Sequence, residues 1–130
     1  MSAAERSGVA ELLDSLRRIG GEPEGVEAKS GAGGFPASVR ETLVAFANTD
    51  GGTILIGVDE AAGFAVVPIV DISRYRDNLV ALARDSITPP LQIETEIVEI
   101  DGLHVLVAQV PPAPADRRPV YVTSKGIING

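Results

Sequence analysis

The sequence predicts an α+β fold: a mixed, mainly antiparallel sheet of about six strands with three helices packed on it. Three observations carry this. Apolar residues at helical spacing, Val39, Leu43, Phe46 and Ala47, run into the turn residues Asn48 to Gly52, and Thr53 to Val58 then forms a short β-branched run. Leu91 to Ile100 and Leu103 to Val110 flank Asp101-Gly102, the strongest short hairpin signal in the chain. Two further stretches, around Leu13 and around Leu79, carry apolar residues on one helical face.

The first helix is expected to start near Ser2 or Glu5, where Ser2 to Glu5 has capping-box spacing. It would bury Val9, Leu12, Leu13, Leu16 and Ile19 and end at Gly20-Gly21. Val26 to Lys29 reads as a short strand. Ser30 to Phe35 is Gly-rich and reads as a loop, and Pro36 or Ser38 opens the second helix, with Glu41 three residues after Ser38. Thr53 to Val58 is apolar at nearly every position, which suits a central strand covered on both faces. Ala61-Ala62-Gly63 turns the chain back so that Phe64 to Val67 returns antiparallel. Asp71 is the N-cap of a third helix burying Ile72, Tyr75, Leu79, Leu82 and Ala83, which Pro89-Pro90 finishes. After the Asp101-Gly102 hairpin, Pro111 to Pro114 is an extended connection to a last strand, Pro119 to Val122.

A chain of 130 residues is one domain, and its ending at Lys125 to Gly130 without a cap suggests a piece of a longer multidomain protein. Hydrophobic residues make up 45% but aromatics only 4%, so packing rests on Val, Ile, Leu and Ala, and base-stacking platforms are scarce. The absence of cysteine excludes disulfides, thiolate nucleophiles and Cys-rich zinc sites. No run approaches a membrane span and no secretory h-region precedes the domain, which fits a cytoplasmic location without a membrane partner. The net charge of −7 opposes nucleic-acid binding unless Arg17-Arg18, Arg40, Arg74, Arg76, Arg84, Arg117-Arg118 and Lys125 gather locally. The alternative is scattered solvating charge.

The segment Ala45-Phe46-Ala47-Asn48-Thr49-Asp50-Gly51-Gly52-Thr53-Ile54-Leu55-Ile56-Gly57-Val58-Asp59 resembles the signature of the Schlafen AlbA-type domain. Glu22 to Lys29 is similar to that family's opening acidic strand, with Ala28 where an aromatic is usual. Gly63 to Val67 and Arg118 to Val122 are similar to its return and closing strands. The resemblance spans about residues 22 to 122. It implies a DNA-binding or regulatory module at the N-terminus of a bacterial transcriptional regulator or helicase-related protein, with C-terminal domains as further partners.

Phosphate contacts are then expected from Lys29, Arg40, Arg117, Arg118 and Lys125 and from the backbone of Gly31, Gly33 and Gly34, since a loop leading into a helix N-terminus presents N–H groups to an anion. No Walker ending or dinucleotide fingerprint is present, and no cofactor is expected on this reading. The alternative is a divalent-metal-dependent endoribonuclease. Glu27 and Lys29, two apart on a strand, share a face. In nuclease members of the family the acidic trio matches Glu22, Glu27 and Glu60, an oxygen set suited to Mg²⁺ or Mn²⁺, with Lys29 assisting. Against it stands the reading of these groups as solvated loop acids and a surface ion pair. A third reading is a protein-interaction domain, including a homodimer through exposed strand edges, which the acidity fits best. His104, the single histidine, lies in an apolar strand and reads as structural, and Asn48, Gly51 and Gly52 read as turn residues.

Overall fold

In the computed structural model, residues 3–123 are described, with side chains from Gly8 onward, and the central sheet has the strand order β1-β2-β7-β6. The elements in chain order are α1 (Ala3–Ile19), β1 (Val26–Lys29), α2 (Val39–Ala47), β2 (Gly52–Ile56), β3 (Val58–Asp59), β4 (Ala65–Val66), α3 (Ile72–Asp85), β5 (Ile87–Thr88), β6 (Glu94–Ile100), β7 (Leu103–Val110) and β8 (Tyr121–Val122). β1 runs parallel to β2, with α2 as the crossover, and the other two pairings of the sheet are antiparallel. The α+β class and the mixed, mainly antiparallel sheet are therefore as expected. The strands are distributed differently: four form the sheet, while β3 with β4 and β5 with β8 form separate two-stranded pairs.

β2 is the centre of the fold because its alternating side chains enter two different cores. Ile54 and Ile56 pack with α2 and α3, while Leu55 packs with α1, and all three are fully buried. Burial of each such side chain stabilises the fold by about 1.5–3 kcal/mol. On the α1 side, Val9, Leu13 and Leu16 meet Ala28, Val58, Phe64, Val98, Val105 and Val107. On the other side, Val39, Leu43 and Ala47 of α2 and Leu79 and Ala83 of α3 meet Leu106, Ala108 and Val110. Ile19 departs from expectation and is 69% exposed. The helix closes just behind it, where Gly20 N donates to Leu16 O at 2.8 Å, and this end has passed the sheet. The proposed Ser2 cap lies outside the described residues.

Two turns follow the expected chemistry. Asp101 and Gly102 both adopt positive φ, 54° and 78°, as a two-residue hairpin matching the strand twist requires. Asp71 Oδ1 accepts from Arg74 N at 3.2 Å and caps α3. The cap of α2 is different: Ser38 makes no side-chain bond to the helix backbone, because its hydroxyl is taken by Lys29. The strand Thr53 to Val58 is broken at Gly57, whose N–H still reaches Lys29 O, and the chain then turns off the sheet to pair β3 with β4.

Candidate functional site

The C-terminal ends of β1 and β2 lie together because the strands are parallel, and β1 leads from there through residues 30–36 into α2. Lys29 Nζ donates to Ser38 Oγ at 3.0 Å, which holds an ammonium at the N-terminus of α2. Arg40 is the second residue of the same helix. Its Nε is shielded from solvent and has no hydrogen-bond partner among the described residues, with Glu41 Oε1 3.9 Å away. Half of the Gly-rich loop is pinned. Tyr75 Oη donates to Gly31 O at 2.7 Å, and Phe35 meets the Tyr75 ring edge-on with centroids 5.5 Å apart. Gly31 is buried, and a Cβ there would stand 3.1 Å from Ile56 Cγ2. The tip is open: Gly33 and Gly34 are exposed, and nothing lies within 4 Å of where their Cβ atoms would be. Lys29 thus stands at the N-terminus of α2 and Arg40 in its first turn, where the helix dipole adds to the positive potential, while Gly33 and Gly34 lie exposed in the loop that leads there.

The other expected phosphate contacts are elsewhere. Arg118 lies at the opposite end of α2, where Nε donates to Ala113 O at 2.8 Å and Nη2 to Thr49 O at 2.9 Å. The helix between these two ends is nine residues long, or about 14 Å at 1.5 Å per residue. Arg118 therefore caps carbonyls at the end of α2, the preferred place for a cation on a helix. Arg117 is exposed on a 3-10 turn, and Lys125 lies outside the described residues. Arg76 and Arg84, both on α3, border a shallow groove with Thr95, but Asp77 shares it and Arg84 is held bidentately by Asp85 at 2.8 Å.

The acidic trio is not assembled. Among the described residues no three of His, Asp and Glu are arranged to hold a metal ion. Glu22 Oε2 accepts from Ala28 N at 2.6 Å on the free edge of β1, covering a donor that an open strand edge would otherwise present. Glu60 is exposed on the 3-10 turn that links β3 to β4. The residues present do not fit the Mg²⁺ or Mn²⁺ that the nuclease reading requires, and no catalytic step follows from them. The anticipated Glu27–Lys29 ion pair is replaced by the bond from Lys29 to Ser38.

What remains is a pair of neighbouring carboxyls. Burial raises the Glu22 pKa above its ordinary 4.5 and the adjacent Glu27 raises it further, opposed by the Ala28 N–H and Lys29. The folded state holds this proton more tightly than the unfolded chain. Its contribution is fully present below pH 4.5 and is lost as pH rises through the elevated folded value. Glu22→Gln keeps the acceptor for Ala28 N and cannot ionise. Urea melts at a series of pH values from 4 to 7 should show the variant gaining on wild type as pH rises; a constant difference would exclude the coupling.

Two side chains make long-range contacts that no local pattern announces. Asn48 is a two-bond clamp on Val120, and Tyr75 anchors the Gly-rich loop. His104 is exposed on β7, opposite Glu99 in the register, because the β6–β7 hairpin extends past its helical cover at that end.

The family model described as Schlafen, AlbA_2 matches residues 22–128. The chain belongs to this family. Among solved structures, this Schlafen AlbA_2 domain is similar to the N-terminal domain of a RecG-related protein of Nitrosomonas europaea, named for an ATP-dependent DNA helicase. The TM-score is 0.73 and the identity 31%, over 86% of this chain and 78% of that one. The DIP2311 protein of Corynebacterium diphtheriae shares the fold at TM-score 0.52 and 17% identity. There the match covers 93% of this chain but only 24% of the other. No curated protein matches. No described helix is long and apolar enough to cross a membrane.

Proposed function

We propose that the domain binds nucleic-acid phosphate through the ledge at the N-terminus of α2, as a non-catalytic module of a larger protein. The observation that carries this is the Lys29 ammonium held by Ser38 at the N-terminus of α2, with Arg40 in the first turn and the exposed Gly33 and Gly34 in the loop leading in. An anion there would meet the Lys29 ammonium and the positive end of a helix, with Arg40 in the first helical turn. The helicase-related name of the Nitrosomonas europaea relative is in keeping with such a role. The ledge is small and the chain carries −7, so affinity is expected to be weak and steeply salt-dependent.

Labelled structured RNA and duplex DNA should shift on native gels at low salt and recover intact from Mn²⁺ as from EDTA. Lys29→Gln with Arg40→Gln should weaken the shift about tenfold and flatten its salt dependence, with unchanged thermal stability. Equal affinity of the double variant and wild type would remove the ledge from the binding surface, and Mn²⁺-dependent fragments would reverse the non-catalytic assignment.

A further inference from the structure

The opposite end of the sheet carries a second surface of contrary charge. Since β1 and β2 are parallel, Gly25 and Gly52 lie at the end away from Lys29 and Gly57, and they open onto a groove of about 840 Å³. That volume is within the range of ligand-binding clefts. Its floor is a polar row, Thr53, Gln109 and Glu94, in register across β2, β7 and β6. The apolar cluster under α1 ends one row earlier, at Leu55 and Val107, so this part of the sheet has no helix over it. Thr53 Oγ1 lies 2.8 Å from Gln109 Oε1 and donates to it, which fixes the amide with its N–H groups free to donate.

The groove selects for positive charge. Glu24, Asp50 and Glu94 line it, no Lys or Arg does, and none of the three carboxylates is in an ion pair or a side-chain hydrogen bond among the described residues. Phe46 lines the groove from the α2 side of the sheet, round the end of β2 from the polar row, its ring lying where a Cβ on Gly52 would come within 2.6 Å, so that only glycine at position 52 leaves the ring in place. A half-buried aromatic ring beside carboxylates is a setting for a guanidinium or ammonium group. Phosphate would be repelled here. A metal ion is not favoured either, since no three acidic groups come together among the described residues.

We propose that this groove docks a basic peptide segment of a protein partner, with an Arg or Lys side chain near Phe46 and its positive charges spread along the acidic lining of Glu24, Asp50 and Glu94. The occupant is argued from charge complementarity and from the length of the polar row, which offers an extended backbone a line of hydrogen-bonding groups. This surface is independent of the phosphate ledge, since the two lie at opposite ends of β1 and β2.

The probe is an acetylated Gly-Arg-Gly-Arg-Gly peptide titrated into ¹⁵N-labelled domain at low salt, beside its Glu-for-Arg counterpart and spermidine. Saturable shifts are expected at Phe46, Thr53 and Gln109 with the basic peptide alone. Glu24→Gln, Asp50→Asn and Glu94→Gln together should weaken it about tenfold without altering the melting temperature, whereas Lys29→Gln with Arg40→Gln should leave it unchanged. Absent shifts at millimolar peptide, equal binding by the triple variant, or equal binding of spermidine at the same residues would each overturn the proposal.

Discussion

Gly52→Val is expected to abolish the native fold or reduce its stability by about 3 kcal/mol or more, a large part of the roughly 5–15 kcal/mol that holds a domain of this size together. A Cβ at position 52 would stand 2.6 Å from both Phe46 Cδ2 and Cε2, and Val adds two further carbons. Relief requires the Phe46 ring to leave its place against β2 or the first residue of β2, which pairs with Val110, to shift. Gly51→Ala should be comparably severe for a different reason. Gly51 has φ of +80°, and its Cβ would lie 2.5 Å from Val110 O, a backbone atom. The two mechanisms separate by rescue. Phe46→Ala combined with Gly52→Ala should recover at least 1 kcal/mol relative to additivity, since the obstacle is a side chain. No side-chain truncation should recover Gly51→Ala. Denaturant unfolding of the single and double variants supplies the cycle; additive behaviour at Phe46 and Gly52 would contradict the packing described here.

These glycines also indicate how far the sequence could be read. The passage from α2 through Asn48–Gly52 into a doubly covered strand was legible because periodicity 3.6 gives way to a turn and then to an apolar β-branched run with no polar face. The Asp71 cap and the Asp101-Gly102 turn were legible because each is a local bond or torsion that neighbouring residues decide. β5 was not. Ile87-Thr88 is two residues long, and its strand character comes from pairing with Tyr121-Val122, more than thirty residues away. Long-range pairings of this length leave no periodic trace.

The candidate site divides along the same line. That Lys29 sits on a strand entering a Gly-rich loop and a helix was readable, and its ammonium does reach the N-terminus of that helix. That Ser38 would receive Lys29 instead of capping its own helix was not, because both choices satisfy the same local pattern. Glu22, Glu27 and Glu60 share a charge type but not a place: Glu22 is drawn to the Ala28 amide on the edge of β1, while Glu60 stays on the turn beyond β3. Arg118 is comparable. As a sequence element it is an exposed cation, and only the fold assigns it to the carbonyls at the end of α2.

Asn48→Ala is the second substitution expected to have a large effect, and it tests the least foreseeable contact in the domain. The Asn48 amide donates through Nδ2 to Val120 O at 3.0 Å, and its Oδ1 accepts from Val120 N at 2.7 Å, mimicking a strand pairing between residues 72 apart. Val120 is 2% exposed, so its backbone groups have little access to water in the native fold. Leaving both backbone groups unsatisfied should cost about 2–4 kcal/mol. Arg118→Ala removes donors from more exposed carbonyls on the same connection and should cost about 1 kcal/mol. Asn48→Asp keeps the acceptor for Val120 N but loses the donor for Val120 O, and should fall between Arg118→Ala and Asn48→Ala. Hydrogen exchange adds a local readout. Thr123 N bonds to Ser86 O at 2.9 Å only while the segment after Val120 is held against α3, so its amide should lose protection in Asn48→Ala beyond the global change. An Asn48→Ala variant within 0.5 kcal/mol of wild type, with Thr123 still protected, would mean that β8 is held by its pairing with β5 and the apolar burial of Val120 and Val122, and that the clamp is incidental.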